Sequence, residues 1–95
     1  MRIRIEFLDL PMITDELGKQ SFETDFEGQT LSDLVEELAF GVGRFRESLL
    51  EEDGRLKHYV LVCINGNDWV EPEKIAKTTV QAGDTITFML LLSGG

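Results

Sequence analysis

Three sets of residues in this chain carry groups able to do chemistry: His58 with Cys63, the paired carboxylates, and the carboxylate that follows Ser93-Gly94-Gly95. His58 and Cys63 fall in one apolar run, HYVLVCI, at an odd spacing that puts them on opposite faces of a strand. A thiolate and its base must meet, so this is not a nucleophile pair. Cys63 has no basic neighbour in sequence to stabilise a thiolate and reads as a packing residue. The carboxylates of Glu36-Glu37 and Glu51-Glu52-Asp53 fall on what reads as a polar helix face and a turn, where solvation accounts for them. No glycine-rich loop cradles a phosphate, and no His/Cys/Asp spacing suits a metal. Neither a metal nor a bound cofactor is expected, and the chain has no evident active site of its own. Gly95 is different. A Gly-Gly end has no Cβ to obstruct a narrow active site and takes backbone dihedrals closed to other residues. With Ser93 beginning the arm and Gly94 permitting threading, the Gly95 carboxylate is the expected functional group, presented to some other protein's active site.

Composition bounds the rest of the chain. Ninety-five residues, 42% of them hydrophobic, make one small domain. No apolar run approaches the length of a membrane span, and the opening MRIRIEF alternates where a signal peptide would have an apolar core. A cytoplasmic protein is expected. A single cysteine excludes an internal disulfide. Eighteen acidic residues against nine basic give a formal charge of −9, which repels nucleic acid and anionic lipid and favours a partner with a basic face.

The elements that would hold such an arm are legible in the hydrophobic pattern. Ile3, Ile5 and Phe7 alternate with Arg2, Arg4 and Glu6, giving a half-buried strand over about 2–8. The stretch 9–19, with Pro11 and Gly18, reads as a loop, and Phe22, Thr24 and Phe26 then share one face of a hairpin partner. Thr30 stands as an N-cap with Asp33 three residues on, and Leu31, Leu34, Val35 and Leu38 make one stripe of a helix ending near Gly41. A second short helix is expected within 44–52, through Phe45 and Leu49, before the turn Asp53-Gly54. HYVLVCI is the strongest strand signal and closes on Asn65-Gly66. Residues 69–80 are mixed, with Pro72 as a loop marker and 78–80 extended; Ala82-Gly83-Asp84 turns into the last strand, TITFMLLL.

Ile64-Asn65-Gly66, Ala82-Gly83-Asp84-Thr85-Ile86 and Ser93-Gly94-Gly95, in that order, resemble the motifs of the ubiquitin-like sulfur carriers. That family includes the small subunit of molybdopterin synthase and the thiamine-pathway sulfur carrier. The resemblance spans nearly the whole chain and is closer to the molybdopterin branch in length. Asp15-Glu16-Leu17-Gly18 faintly resembles that branch's "RE..G" segment, whereas Leu90-Leu91-Leu92 stands where the branch commonly has prolines. The resemblance implies an α+β, β-grasp fold: one domain over 1–95 with a flexible tail at 92–95, a mixed sheet of four or five strands with the first and last parallel in its centre, and the main helix on one face. It implies a non-catalytic carrier whose Gly95 carboxylate is adenylated by a partner enzyme using ATP. Conversion to a thiocarboxylate would follow, with a sulfurtransferase or a synthase large subunit as the further partner, for sulfur delivery in molybdopterin or tungstopterin biosynthesis. A carrier for thiamine or another sulfur pathway, a ubiquitin-like protein modifier and a non-covalent interaction domain are the alternatives.

A last expectation concerns the sheet's two faces. With Val60, Val62, Ile64, Ile86, Phe88 and Leu90 under the helix, Tyr59, Leu61, Cys63, Met89 and Leu91 should point the other way. Tyr59, Leu61, Met89 and Leu91 are therefore the expected partner-binding residues, since a contiguous exposed apolar patch marks an interface.

Overall fold

A computed structural model of the chain describes residues 1–91; the expected tail at 92–95, with Ser93, Gly94 and Gly95, lies outside the described residues. The alternating start forms β1 (Arg2–Leu8), with Ile3, Ile5 and Phe7 buried and Arg2 and Arg4 exposed. It pairs antiparallel with β2 (Ser21–Asp25) and, on its other side, parallel with β5 (Thr85–Leu90). β5 pairs antiparallel with β3 (Val60–Ile64), which carries β4 (Asp68–Val70) at the far edge. The order is β2-β1-β5-β3-β4, so the first and last strands are parallel at the centre.

The loop expected at 9–19 is instead largely a helix, α1 (Pro11–Leu17). The residues read as loop markers are its boundaries. Pro11 opens the first turn, where its missing N–H is not needed, and Gly18 takes φ 80 as the left-handed C-cap, donating its N–H to the Thr14 carbonyl. Ile13 is fully buried and fixes this helix to the core.

The main helix, α2 (Leu31–Gly41), starts where its cap predicts. Asp33 N–H donates to Thr30 Oγ1 at 3.2 Å, and the Asp33 carboxylate accepts from the Thr30 and Gln29 amides at 3.1 and 2.9 Å. These bonds hold the Asp33 carboxyl below the usual carboxylate range, the Gln29 amide contributing most and the Thr30 amide next. Leu31, Leu34, Val35 and Leu38 are buried against the sheet.

A short α3 (Phe45–Leu49) follows. Phe45 meets Phe7 and Phe88 edge-on, with ring centroids 6.2 and 5.5 Å away, while Phe7 and Phe88 stack at 5.9 Å. Each such pair contributes roughly 0.5–1.5 kcal/mol beyond the area it buries, which is ample to seat a five-residue helix. β3 begins at Val60, two residues later than the apolar run does, and the mixed segment after the Asn65-Gly66 turn contains β4 and a 3-10 turn at Pro72–Lys74. Thr79 bridges to Thr30, bearing out the extended reading there. Among the described residues no helix is long and apolar enough to cross a membrane.

Candidate functional site

The site expected to act, Gly95 with Ser93 and Gly94, lies outside the described residues, so the site is built from what delivers the chain to that point. β5 is flanked by β1 and β3 along its length, and the connection outlasts the strand: Leu91 N–H donates to the Tyr59 carbonyl at 2.7 Å. The chain is therefore held at residue 91 by the most heavily paired strand of the sheet. Residues 92–95 span at most about 14 Å when extended.

Two of the three sequence motifs prove to be one device. The Asn65 side-chain amide donates to Asp84 Oδ1 at 3.0 Å, and its carbonyl accepts the Thr85 N–H at 2.8 Å. Asp84 also accepts the Gln81 N–H at 2.8 Å through its other oxygen. Asn65 (φ 54) and Gly66 (φ 78) have the positive φ of a type I′ turn, closed by Asn67 N–H to the Ile64 carbonyl at 3.3 Å. The Asn-Gly turn after β3 is thus tied to the Gly-Asp turn that opens β5. These residues do no chemistry; they set the β3–β5 register from the end opposite the tail.

That register decides the outer face. With the helices covering one side, the cross-strand rows on the other run Arg4–Thr85, then Glu6–Thr87–Cys63–Trp69, then Leu8–Met89–Leu61. The face passes from polar to apolar toward the end from which the chain leaves β5. Leu61 and Met89 are partly exposed there and Leu91 is 56% exposed, as expected. Tyr59 is a correction. It lies in a turn before the first paired residue of β3, so strand alternation does not govern it, and its side chain packs against the core cluster. Cys63 does face outward, yet only 3% of it is exposed, between Thr87 and Trp69 in the row.

Leu8 and the 58% exposed Trp69 belong to this face and were missed. Leu8 had a readable signal, as the next outward residue after Arg2, Arg4 and Glu6. Trp69 had a weaker one, in the hairpin spacing after Asn65-Gly66. His58 stands outside β3 in the turn, exposed, with its ring edge-on to Tyr59 at 5.3 Å. The buried Cys63 is not brought to it by any shared strand face.

Comparison with known proteins bears on the family and the fold. A family model described as the ThiS family matches residues 13–95. Among solved structures, SAMP1 from Haloferax volcanii superposes with a TM-score of 0.78 at 21% identity, covering 100% of both chains. Urm1 from Trypanosoma brucei gives 0.74 at 25% identity, over 99% of this chain and 95% of its own. A chain of the BexX/CysO complex of Amycolatopsis orientalis gives 0.66 at 20%, over 98% and 99%. The sheet order and the helix packed on one face are accordingly those of the ubiquitin-like β-grasp fold.

Proposed function

The chain belongs to the ThiS family of ubiquitin-like sulfur carriers, small proteins that carry a group and do not themselves catalyse, and from that premise we propose that Gly95 is where the sulfur is carried. A carboxylate does not accept sulfur at a useful rate. A partner enzyme first adenylates it: a Gly95 carboxylate oxygen attacks the α-phosphate of ATP and pyrophosphate leaves. The terminal sulfur of a persulfide then adds to the activated carbonyl carbon and expels AMP. Cleavage of the resulting acyl disulfide by a second thiol leaves the Gly95 thiocarboxylate and a disulfide on the donor side. No group on the carrier body takes part in these steps.

The observation that supports this reading is the exit of the chain from the sheet. Leu91 is held by β3's leading turn, and the ThiS match continues from there through Gly94-Gly95. A folded body held through Leu91 limits how much must be ordered on binding, and glycines without Cβ let the carboxylate enter a narrow site. The apolar end of the outer face, with Leu61, Met89, Leu91 and Leu8, lies beside that exit and is the proposed docking surface for the activating enzyme and the synthase large subunit. Molybdopterin or tungstopterin synthesis is the favoured pathway. The two segments that lengthen the chain toward that branch are those carrying α1 and α3, which meet where Ser48 Oγ approaches Met12 Sδ at 3.9 Å.

The test is to extend the chain by one residue after Gly95, and separately to delete Gly95, then to assay ATP-dependent adenylation by the cognate enzyme. Both changes should abolish it, with folding stability unchanged to about 0.5 kcal/mol. Adenylation of the extended protein would overturn the reading. Intact mass of protein from its own cells should show a gain of about 16 Da from sulfur replacing oxygen, checked against methionine oxidation. Gly95 joined to lysines of other proteins would instead identify a modifier.

A further inference from the structure

The free edge of β2 is a second surface with its own shape and charge. In the β1–β2 ladder, Phe7 N–H donates to the Gln20 carbonyl at 2.9 Å and Phe26 N–H to the Met1 carbonyl at 2.7 Å. Hydrogen-bonded pairs alternate along an antiparallel ladder, so Phe22 and Thr24, in phase with these residues, direct their backbone groups at β1. The N–H and C=O groups of Ser21, Glu23 and Asp25 therefore point away from the sheet. Beside this edge, on the helix side, lies a depression of about 150 Å³ walled by Phe22 and Thr24 from the strand and Leu34, Leu38 and Gly41 from α2. A Cβ added at Gly41 would meet nothing within 4 Å, so the glycine leaves this wall open. Phe40, next to it, is 86% exposed.

Charge selects among occupants. Glu37 lines the depression and Glu27 is exposed on the loop after the strand, in a chain of formal charge −9. Arg2 and Arg4, which face Glu23 and Asp25, already sit within 3.5–3.7 Å of those carboxylates. A second copy pairing through its own β2 would bring together two chains of formal charge −9, which like-charge repulsion opposes. The opposite edge, β4, has three residues and is soon followed by Pro72, as edges guarded against pairing are.

We propose that β2 accepts an extended, basic segment of a partner protein as a sixth strand. Alternate apolar side chains of that segment seat in the depression between β2 and α2, and its Lys or Arg residues meet Glu27 and Glu37. The interaction requires neither Gly95 nor its activation, so it stands apart from the carrier reading.

The test uses the full chain, 15N-labelled, with an acetylated and amidated octapeptide of alternating Val and Lys as probe. Saturable shifts should appear at Leu34, Leu38 and Gly41, and hydrogen exchange of the Ser21, Glu23 and Asp25 amides should slow by at least about tenfold, as paired edge amides do. The matching Val/Glu octapeptide should produce neither. Gly41→Met fills the depression from an open position and should weaken binding by about tenfold or more with the circular dichroism spectrum unchanged. Absence of saturable shifts, shifts confined to Leu61 and Met89, or binding that leaves those three amides unprotected would each overturn the proposal. So would protection that grows with protein concentration in the absence of peptide, which would mean self-pairing.

Discussion

Cys63 illustrates how much a residue's role depends on its row. It points to the face opposite the helices, where a thiol would ordinarily be open to reaction, yet the sheet leaves only 3% of it exposed. Its cross-strand neighbour Thr87 is similarly covered and donates its hydroxyl to Glu6 Oε1 at 3.0 Å. A thiol with so little access packs in the sheet, and we expect it to handle no sulfur in transit. Cys63→Ala should therefore support thiocarboxylate formation at Gly95 at the wild-type rate while costing about 1 kcal/mol of stability, read by urea unfolding. A folded Cys63→Ala protein that accepts no sulfur would assign the thiol a chemical role.

At the scale of elements, the capping box of α2 is the local feature with the clearest energetic consequence. Thr30→Ala removes the side-chain acceptor for the Asp33 amide and should cost about 1 kcal/mol. Asp33 supplies a pH dependence whose sign follows from its lowered pKa. A carboxyl depressed in the folded state stabilises the fold above its unfolded pKa, and that contribution is lost as pH falls through the folded value. The loss therefore belongs below about pH 4, and Asp33→Asn should flatten that part of the stability profile. An NMR titration in which the Asp33 carboxyl protonates at or above the ordinary aspartate range would contradict the observed bonds.

For the molecule as a whole, the polar-to-apolar gradient across the outer face gives the docking proposal its direction. Leu8, Met89 and Leu61 form the row at the end where the chain leaves β5, and the side chains beneath them on the helix side are already buried. Leu61→Asp and Met89→Asp should each weaken binding to the activating enzyme by at least about tenfold, comparable to losing a central interface contact. Stability should change by no more than about 1 kcal/mol, because both side chains are partly exposed already. Two unfolded variants would place these residues in the core and remove the proposed surface.

Elements whose signal is local were legible from the chain alone: the alternation of β1, the stripe and cap of α2, the β-branched run of β3 and the motifs flanking β5. The pattern also singled out Ser93-Gly94-Gly95, because a Gly-Gly pair needs no fold to be recognised. Pro11 and Gly18 were ambiguous, since the residues that break a chain into loops are also those that start and stop a short helix, and only Ile13 finding the core settles which. Tyr59 could not be placed from its run either; whether a residue belongs to a strand or to the turn before it depends on which partner begins the ladder. The union of Asn65 with Asp84, the polar-to-apolar rows and the open edge of β2 were decided only by tertiary structure. Each depends on pairings between residues far apart in the chain, and no window of sequence contains both partners.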